Sequence, residues 1–197
     1  MGTTITRQEF DEFYTHVPER VLIILDEAYY EFAQNSPDYP DSMSYRYDNV
    51  ITLRTFSKAY GLAGIRIGYG FAHESLISNL LKVKVPFEPS LSAQAAGMAA
   101  MDDNEFLKNT LGLNKNGMTF LKKELDGLGI EQVPSAANFI TTIWDSEKTA
   151  SKLTKNLLKK GVIVRQLTGF GWPNCIRISV GLESENQKCI ESLKEIL

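Results

Sequence analysis

Five consecutive aliphatic residues, Val-Leu-Ile-Ile-Leu at positions 21–25, constrain the fold more than any other segment of this chain. A short, β-branched apolar run between polar neighbours is typical of a buried β-strand. Asp26 follows at once, so a carboxylate is expected where the strand ends. In open α/β sheets ligands bind at the carboxyl ends of the strands. The sequence therefore favours an α/β fold with a ligand site beside Asp26.

Periodicity, capping residues and breakers predict the remaining elements. Thr6-Arg7-Gln8-Glu9 is a capping box that begins a helix extending to about His16. Further strands are predicted at residues 50–53, 65–71, 130–133, 139–143, 162–165 and 175–180. Further helices are predicted at residues 73–83, 147–160 and 184–197, with a long helical stretch at 90–125 in which a break near Asp102 is left open.

These elements divide the chain into three parts. Residues 1–90 are expected to form parallel α/β layers, residues 91–125 a helical connector, and residues 126–197 a small α+β domain. The formal net charge of −3 and a pI of about 5.5 argue against a nucleic-acid partner. The longest aliphatic run is too short to span a membrane. Cys175 and Cys189 lack metal-ligand spacing, so we expect two reduced thiols in a cytoplasmic protein and no metal site.

Lys58 has unusual neighbours for a lysine in a loop. Thr55 and Ser57 supply hydroxyls just before it, and Arg66 supplies a guanidinium eight residues after it. A lysine amine forms a Schiff base with an aldehyde, while hydroxyls and a guanidinium suit a phosphate. Because Asp26 is available to pair with a pyridine nitrogen, the set predicts a site for pyridoxal 5'-phosphate.

These motifs resemble the fold-type-I pyridoxal-phosphate aminotransferases, and within them the histidinol-phosphate aminotransferases. The resemblance extends from Gly-Thr-Thr-Ile-Thr at residues 2–6 to Ile-Arg-Ile-Ser-Val-Gly at residues 176–181 and the closing helix. It implies an α/β fold made of the C-terminal part of the family's large, cofactor-binding domain plus a small α+β C-terminal domain. The family's enzymes are longer, so we expect a C-terminal half. Such a half should be inactive alone, because the family's phosphate loop and the aromatic that stacks on the cofactor ring lie upstream.

The resemblance assigns roles to the cofactor-binding residues. Lys58 is expected to bind the cofactor covalently and then, as a general base, to move the proton between the substrate Cα and C4′ of the cofactor. Asp26 is expected to keep the pyridine nitrogen protonated, and Tyr29 to hydrogen-bond the phenolic oxygen of the ring. A turn-capping role for Asp26 and a packing role for Tyr29 stay open as alternatives. Three further side chains are expected to hold the phosphate: Thr55, Ser57 and Arg66.

Two arginines are candidates for binding the substrate. Arg177 lies in a predicted strand between apolar neighbours, where a charge needs a partner. The family's corresponding arginine binds the acidic group of the amino donor. Arg165 is a second candidate for the same pocket, with an edge-strand surface charge as the alternative. Trp172, in the loop between them, either walls the substrate pocket or packs as an ordinary loop aromatic.

The resemblance implies a cytoplasmic, homodimeric aminotransferase of histidine biosynthesis. It would convert histidinol phosphate and 2-oxoglutarate into imidazole acetol phosphate and glutamate. Three alternatives stay open: an aromatic or broad-range aminotransferase, a threonine-phosphate decarboxylase, and a non-catalytic aminotransferase-like effector module of a transcription regulator. Glu88 stands where many relatives have asparagine, which leaves the amino donor open.

Overall fold

The structure, a computed structural model, describes residues 1–45 and 47–197. The chain forms two compact units. One consists of Ile5–Thr110, and the other of Met1–Thr4 together with Leu111–Leu197. The boundary between residues 110 and 111 falls within the stretch assigned from sequence to a helical connector, and the three-part division at residues 90 and 125 stays a prediction.

The unit of residues 5–110 is built on a three-stranded sheet in the order β1-β2-β3. Strands β1 and β2 are parallel, whereas β2 and β3 are antiparallel. Its strands are β1 (Ile23–Asp26), β2 (Val50–Thr55) and β3 (Gly68–Ala72). Its helices are α1 (Arg7–Thr15), α2 (Tyr30–Ala33), α3 (Glu74–Val83) and α4 (Leu91–Asp102), and α5 (Asn104–Gly127) begins here. A small apolar core forms around Phe10, Ile23 and Val50.

The expectation of purely parallel layers was wrong for β3. Residues 56–67, which we call the Lys58 loop, connect β2 to β3 and bring the chain straight back beside β2. The Phe56 N–H donates to the Ile67 carbonyl oxygen at 3.2 Å, which closes the loop. A parallel pair needs a crossover, usually through a helix, and the Lys58 loop contains only a short 3-10 helix, Ala63–Ile65. That short helix also explains why β3 begins at Gly68 rather than at the predicted residue 65.

The unit that contains residues 111–197 is a four-stranded antiparallel sheet in the order β4-β5-β7-β6. Its strands are β4 (Glu131–Val133), β5 (Phe139–Ile143), β6 (Arg165–Leu167) and β7 (Trp172–Ser179). The rest of α5 and the helices α6 (Glu147–Lys159) and α7 (Glu183–Ile196) complete it. The buried core combines residues from all three helices and the central strands: Leu121, Leu125, Ile140, Leu153, Leu157, Ile176, Ile178, Ile190 and Leu193.

Strand β6 lies further along the chain than residues 162–165, where the sequence predicted it. The reason is the end of α6. Gly161 has a φ of +77°, and the Val162 N–H donates to the Leu157 carbonyl oxygen at 2.9 Å. This Schellman arrangement uses the Val162 amide to end the helix, so the strand begins only at Arg165. No helix in the described part of the chain combines the length and apolar character needed to cross a membrane.

Candidate functional site

Asp26 and Thr55 lie at the same edge of the first sheet. Each is the last residue of its strand, and the two strands are parallel, so their carboxyl ends meet. Asp26 pairs in register with Leu53, two residues before Thr55. Because side chains alternate along a strand, Asp26, Leu53 and Thr55 share one face of the sheet. This face and edge match the ligand site expected in an open α/β sheet.

The chain turns sharply after Asp26, at residues 26–29, which we call the Asp26 turn. The Asp26 Oδ1 atom accepts a hydrogen bond from the Ala28 N–H at 3.1 Å. This local bond directs the chain out of β1 and places Tyr29 immediately before α2. The Asp26 carboxylate is exposed in this unit, so it is accessible to a ligand.

Lys58 extends from a turn whose neighbours are buried. Phe56 is 4% exposed and Ala59 is completely buried, whereas Lys58 is exposed. Its Nζ atom lies 5.4 Å from the centroid of the Tyr29 ring, within the range of a cation–π interaction. Within the described residues no carboxylate lies at salt-bridge distance from this ammonium group. The structure thus brings Lys58 and Tyr29 together and leaves the amine accessible.

Hydroxyl and backbone groups shape the start of the Lys58 loop. The Thr55 Oγ1 atom accepts a hydrogen bond from the Ser57 N–H at 3.0 Å. The Gly61 N–H donates to the Lys58 carbonyl oxygen at 3.0 Å, and Gly61 has a φ of +69°, which glycine adopts without steric cost. Thr55 and Ser57 therefore lie just before Lys58, in a turn that these hydrogen bonds hold.

Arg66 adopts a left-handed conformation, with φ 59° and ψ 53°, at the end of the short 3-10 helix. Such a conformation is uncommon for a residue other than glycine and costs on the order of 1–3 kcal/mol. The Arg66 Nη1 atom donates to the Ala63 carbonyl oxygen at 3.0 Å, and the side chain is exposed. Backbone strain of this kind concentrates at ligand-binding sites. Arg66 is therefore held in place with most of its donors available.

The donor set in this unit fits pyridoxal phosphate by its chemistry. It contains an amine for the aldehyde, a carboxylate for the pyridine nitrogen and a phenol for the ring oxygen. Two hydroxyls and a guanidinium match the phosphate. No group of His, Cys, Asp and Glu residues suited to holding a metal ion occurs in the part of the chain that the structure describes.

Arg177 and Arg165 lie in the other unit and are directly opposite each other on β7 and β6. Like charges opposite each other in a sheet repel, and a bound anion would offset that repulsion. The Arg177 guanidinium lies 5.0 Å from the centroid of the Phe139 ring. Its Nε atom is buried and has no hydrogen-bond partner among the described residues. A buried donor without a partner is rare, so Arg177 has an unsatisfied requirement for an acceptor.

A cavity of about 220 Å³ adjoins Arg177. Its walls are mostly apolar or aromatic: Met1, Phe139, Leu167, Phe170 and Trp172. Trp172 is the first residue of β7 rather than a loop residue, so its description as a loop aromatic was wrong. It lines the cavity, and its role as a wall of the substrate pocket stays a prediction. A single cationic group in an apolar cavity suits a small organic anion.

Sequence reasoning missed a buried ion pair next to the site. The Arg54 Nε atom donates to the Glu27 Oε2 atom at 2.8 Å, and these residues adjoin Thr55 and Asp26 along the chain. Part of the signal was present, because Arg54 directly follows the predicted strand at residues 50–53 and a charge beside an apolar strand needs a partner. The partner could not be found by the same reasoning, since Glu27 is far away in sequence.

Comparison with known proteins places the chain in a family. The family model for aminotransferase class I and II matches residues 1–193. The chain belongs to the aminotransferase class I and II family, whose members depend on pyridoxal phosphate. The resemblance and the α/β fold predicted from the sequence are thereby confirmed.

Within the family the similar proteins are histidinol-phosphate aminotransferases. The chain is 45% identical over 199 residues to the one from Akkermansia muciniphila and 43% identical over 198 residues to histidinol-phosphate aminotransferase 2 from Carboxydothermus hydrogenoformans. Both matches cover all of this chain but 53% and 54% of the relatives. The chain thus spans about half the length of the curated relatives it matches. The crystal structure of histidinol-phosphate aminotransferase from Sinorhizobium meliloti in complex with pyridoxal-5'-phosphate matches with 30% identity and a TM-score of 0.90, covering 100% of this chain and 55% of that one.

Proposed function

We propose that this chain supplies the lysine-bearing part of a pyridoxal-phosphate-dependent aminotransferase. In the longer protein it would transfer the amino group of histidinol phosphate to 2-oxoglutarate, forming imidazole acetol phosphate and glutamate. One observation carries the proposal: Asp26, Tyr29 and Lys58 meet at one edge of one sheet, with the Lys58 amine 5.4 Å from the Tyr29 ring.

When bound, pyridoxal phosphate supplies an electron sink for the substrate's Cα. Lys58 would bind the aldehyde through its amine and later, as a general base, accept and return the Cα proton. The Asp26 carboxylate would hold a proton on the pyridine nitrogen, because a neighbouring negative charge favours the protonated, cationic form. The Tyr29 hydroxyl would donate a hydrogen bond to the ring oxygen.

The phosphate would be bound by charge-assisted hydrogen bonds from this chain. The Thr55 and Ser57 hydroxyls and the Arg66 guanidinium provide donors, and Arg66 is strained and exposed as described. Arginine suits this role because its planar fork matches two phosphate oxygens at once.

Arg177 would bind the acidic group of the amino donor and of the oxo acid. Support comes from its buried Nε atom without a described partner and from the adjoining cavity. Arg165, its partner in register, would add to the binding of a phosphate, which carries more negative charge than a carboxylate. The names of the similar proteins favour histidinol phosphate over an aromatic amino acid. We also propose that the longer protein is a cytoplasmic homodimer.

Reductive labelling of the longer protein tests the cofactor site. Borohydride in the presence of pyridoxal phosphate, followed by peptide mapping, should label Lys58. Lys58→Ala should lose both the label and activity, whereas Lys152→Ala, which alters an exposed lysine on α6, should retain both. Label on a different lysine in the unaltered protein would refute the assignment.

A panel of donors tests the reaction. Histidinol phosphate should be used better than phenylalanine, and threonine phosphate should release no carbon dioxide. A preference for phenylalanine would replace the proposed substrate while keeping the aminotransferase assignment. Release of carbon dioxide from threonine phosphate would favour the decarboxylase, and a protein that binds pyridoxal phosphate without turning over any donor would favour an effector module.

A further inference from the structure

We propose that Arg54 is a positioning residue, whose buried guanidinium fixes the Asp26 turn relative to the Lys58 loop and thereby maintains cofactor affinity. The inference rests on the proposed function, because it assumes that these two segments bind pyridoxal phosphate. Arg54 would not touch the cofactor itself. It would act through Glu27 and Tyr30, which enclose Ala28 and Tyr29 in the chain.

The strand geometry places Arg54 behind the site. Side chains alternate along β2, so Arg54 faces away from Leu53 and Thr55, which share a face with Asp26. Its side chain is buried, with a relative exposure of 9% for the residue. A charged group is rarely found so deep in an apolar sheet without specific partners. Arg54 has such partners on the segments that lead into the site.

The first partner is Glu27, the residue that follows Asp26. The Arg54 Nε atom donates to the Glu27 Oε2 atom at 2.8 Å, and Glu27 is 8% exposed. The Glu27 N–H also donates to the Leu53 carbonyl oxygen at 2.9 Å. Side-chain and backbone bonds therefore join the end of β1 to the end of β2 at adjacent positions.

The second partner is Tyr30, the first residue of α2. The Arg54 Cζ atom lies 3.3 Å from the centroid of the Tyr30 ring, so the guanidinium stacks on the ring. Glu27 and Tyr30 enclose Ala28 and Tyr29 in the chain. One guanidinium therefore contacts both ends of the segment that carries Tyr29. The residue after Arg54 is Thr55, which leads directly into the Lys58 loop.

The third partner is Asp41, which lies at the rim. The Arg54 Nη2 atom is 3.2 Å from the Asp41 Oδ1 atom, which also accepts the Met43 N–H at 3.1 Å. Asp41 is 45% exposed at its side chain, in contrast to Glu27. This difference offers a matched control, because removing the Asp41 charge leaves the contacts of Arg54 with Glu27 and Tyr30 in place.

A buried ion pair is weak evidence for a role in stability. Replacing such a pair by apolar residues of similar volume is often neutral or stabilising, whereas removing one partner alone is strongly destabilising. The double replacement Arg54→Met with Glu27→Met can therefore restore stability while the directional bonds remain absent. A double variant with restored stability but weakened cofactor affinity would show that Arg54 positions the site rather than only stabilising the fold.

The experiment uses the longer protein with five variants: Arg54→Met, Arg54→Lys, the double replacement, Asp41→Asn, and Leu121→Ala in the core of the other unit. Pyridoxal phosphate affinity is measured by absorbance titration, and Tm without cofactor by calorimetry. Hydrogen exchange reports on the Ala28 amide, which bonds to Asp26. We expect Arg54→Met and the double replacement to weaken cofactor affinity by about tenfold or more, because small misplacements of binding groups have effects of that size.

Arg54→Lys should lie between the parent and Arg54→Met, since lysine keeps the charge and lacks the planar fork. Asp41→Asn and Leu121→Ala should bind the cofactor like the parent, and only the Arg54 variants should exchange the Ala28 amide faster. The proposal would be overturned if the double replacement bound pyridoxal phosphate like the parent. It would also be overturned if Arg54→Met lost no more cofactor affinity than Leu121→Ala when the two variants have the same Tm. Failure of the parent to bind pyridoxal phosphate at Lys58 would instead show that the proposed function is wrong.

Discussion

Replacing Arg177 by methionine would separate substrate binding from folding in the unit that contains residues 111–197. Methionine keeps an unbranched apolar stem against Phe139 and removes the guanidinium. The contact with the Phe139 ring at 5.0 Å is lost from the fold, whereas the buried Nε atom has no hydrogen-bond partner among the described residues. We therefore expect the free energy of unfolding to fall by about 1 kcal/mol or less.

The effect on catalysis should be much larger. Removing one partner of a buried, charged hydrogen-bonded pair costs about 2–5 kcal/mol. At about 1.4 kcal/mol for each factor of ten, kcat/KM should fall by about 30-fold or more. Both histidinol phosphate and glutamate should be affected, because each carries an anionic group that Arg177 would bind. The assay is steady-state kinetics of the longer protein with each donor.

Arg165→Met is the companion variant, since Arg165 is exposed and lies opposite Arg177 in register. It should weaken the use of histidinol phosphate more than that of glutamate, because the phosphate carries the greater charge. If Arg177→Met left kcat/KM unchanged with both donors, the strand arginine would be structural and the substrate anion would bind elsewhere.

Three further predictions concern packing, ionisation and completeness. Gly117→Ala should lower the free energy of unfolding by about 1–3 kcal/mol, because its Cβ would overlap the Val180 side chain. Gly112→Ala in the same helix should instead stabilise by about 0.5–1 kcal/mol, because no atom of the described residues outside that part of the helix lies within 4 Å of the added Cβ. Chemical denaturation measures both variants, and equal effects would contradict the packing argument. Burial raises the pKa of the Cys189 thiol to about 11 from 9.0, so the neutral thiol is favoured in the fold. Its contribution to the free energy of unfolding is present below pH 9 and is lost as the pH rises towards 11. Denaturation curves of a Cys189→Ala variant, recorded across this pH range, should lack this decrease. The 197-residue chain alone should show no turnover of histidinol phosphate even with excess pyridoxal phosphate. The reason is that Asp26 and Lys58 are exposed in it, so water screens their interactions. A coupled assay that detected turnover would contradict this prediction.

Local signals in the sequence were enough to predict much of the fold. The capping box is present, with the Thr6 N–H donating to Glu9 and the Glu9 N–H donating to Thr6. The strand Phe139–Ile143 has the predicted bounds, and the break left open near Asp102 separates α4 from α5. These features depend on residues a few positions apart, and a single sequence contains that information. The motif around Lys58 is also local, and the roles assigned to its residues stay predictions.

Long-range pairing was not predictable, and it determines what the candidate sites can do. The direction of β3 depends on how the Lys58 loop closes, and the pairing of Arg165 with Arg177 depends on a register that no local pattern specifies. The Arg54–Glu27 pair joins β2 to the turn that follows β1, so only the folded sheet reveals it. Local motifs therefore indicate which chemistry this chain carries. The non-local partners of its charged residues determine how firmly each reactive group is held, since buried charges persist only where the fold supplies a partner or leaves room for a ligand that does.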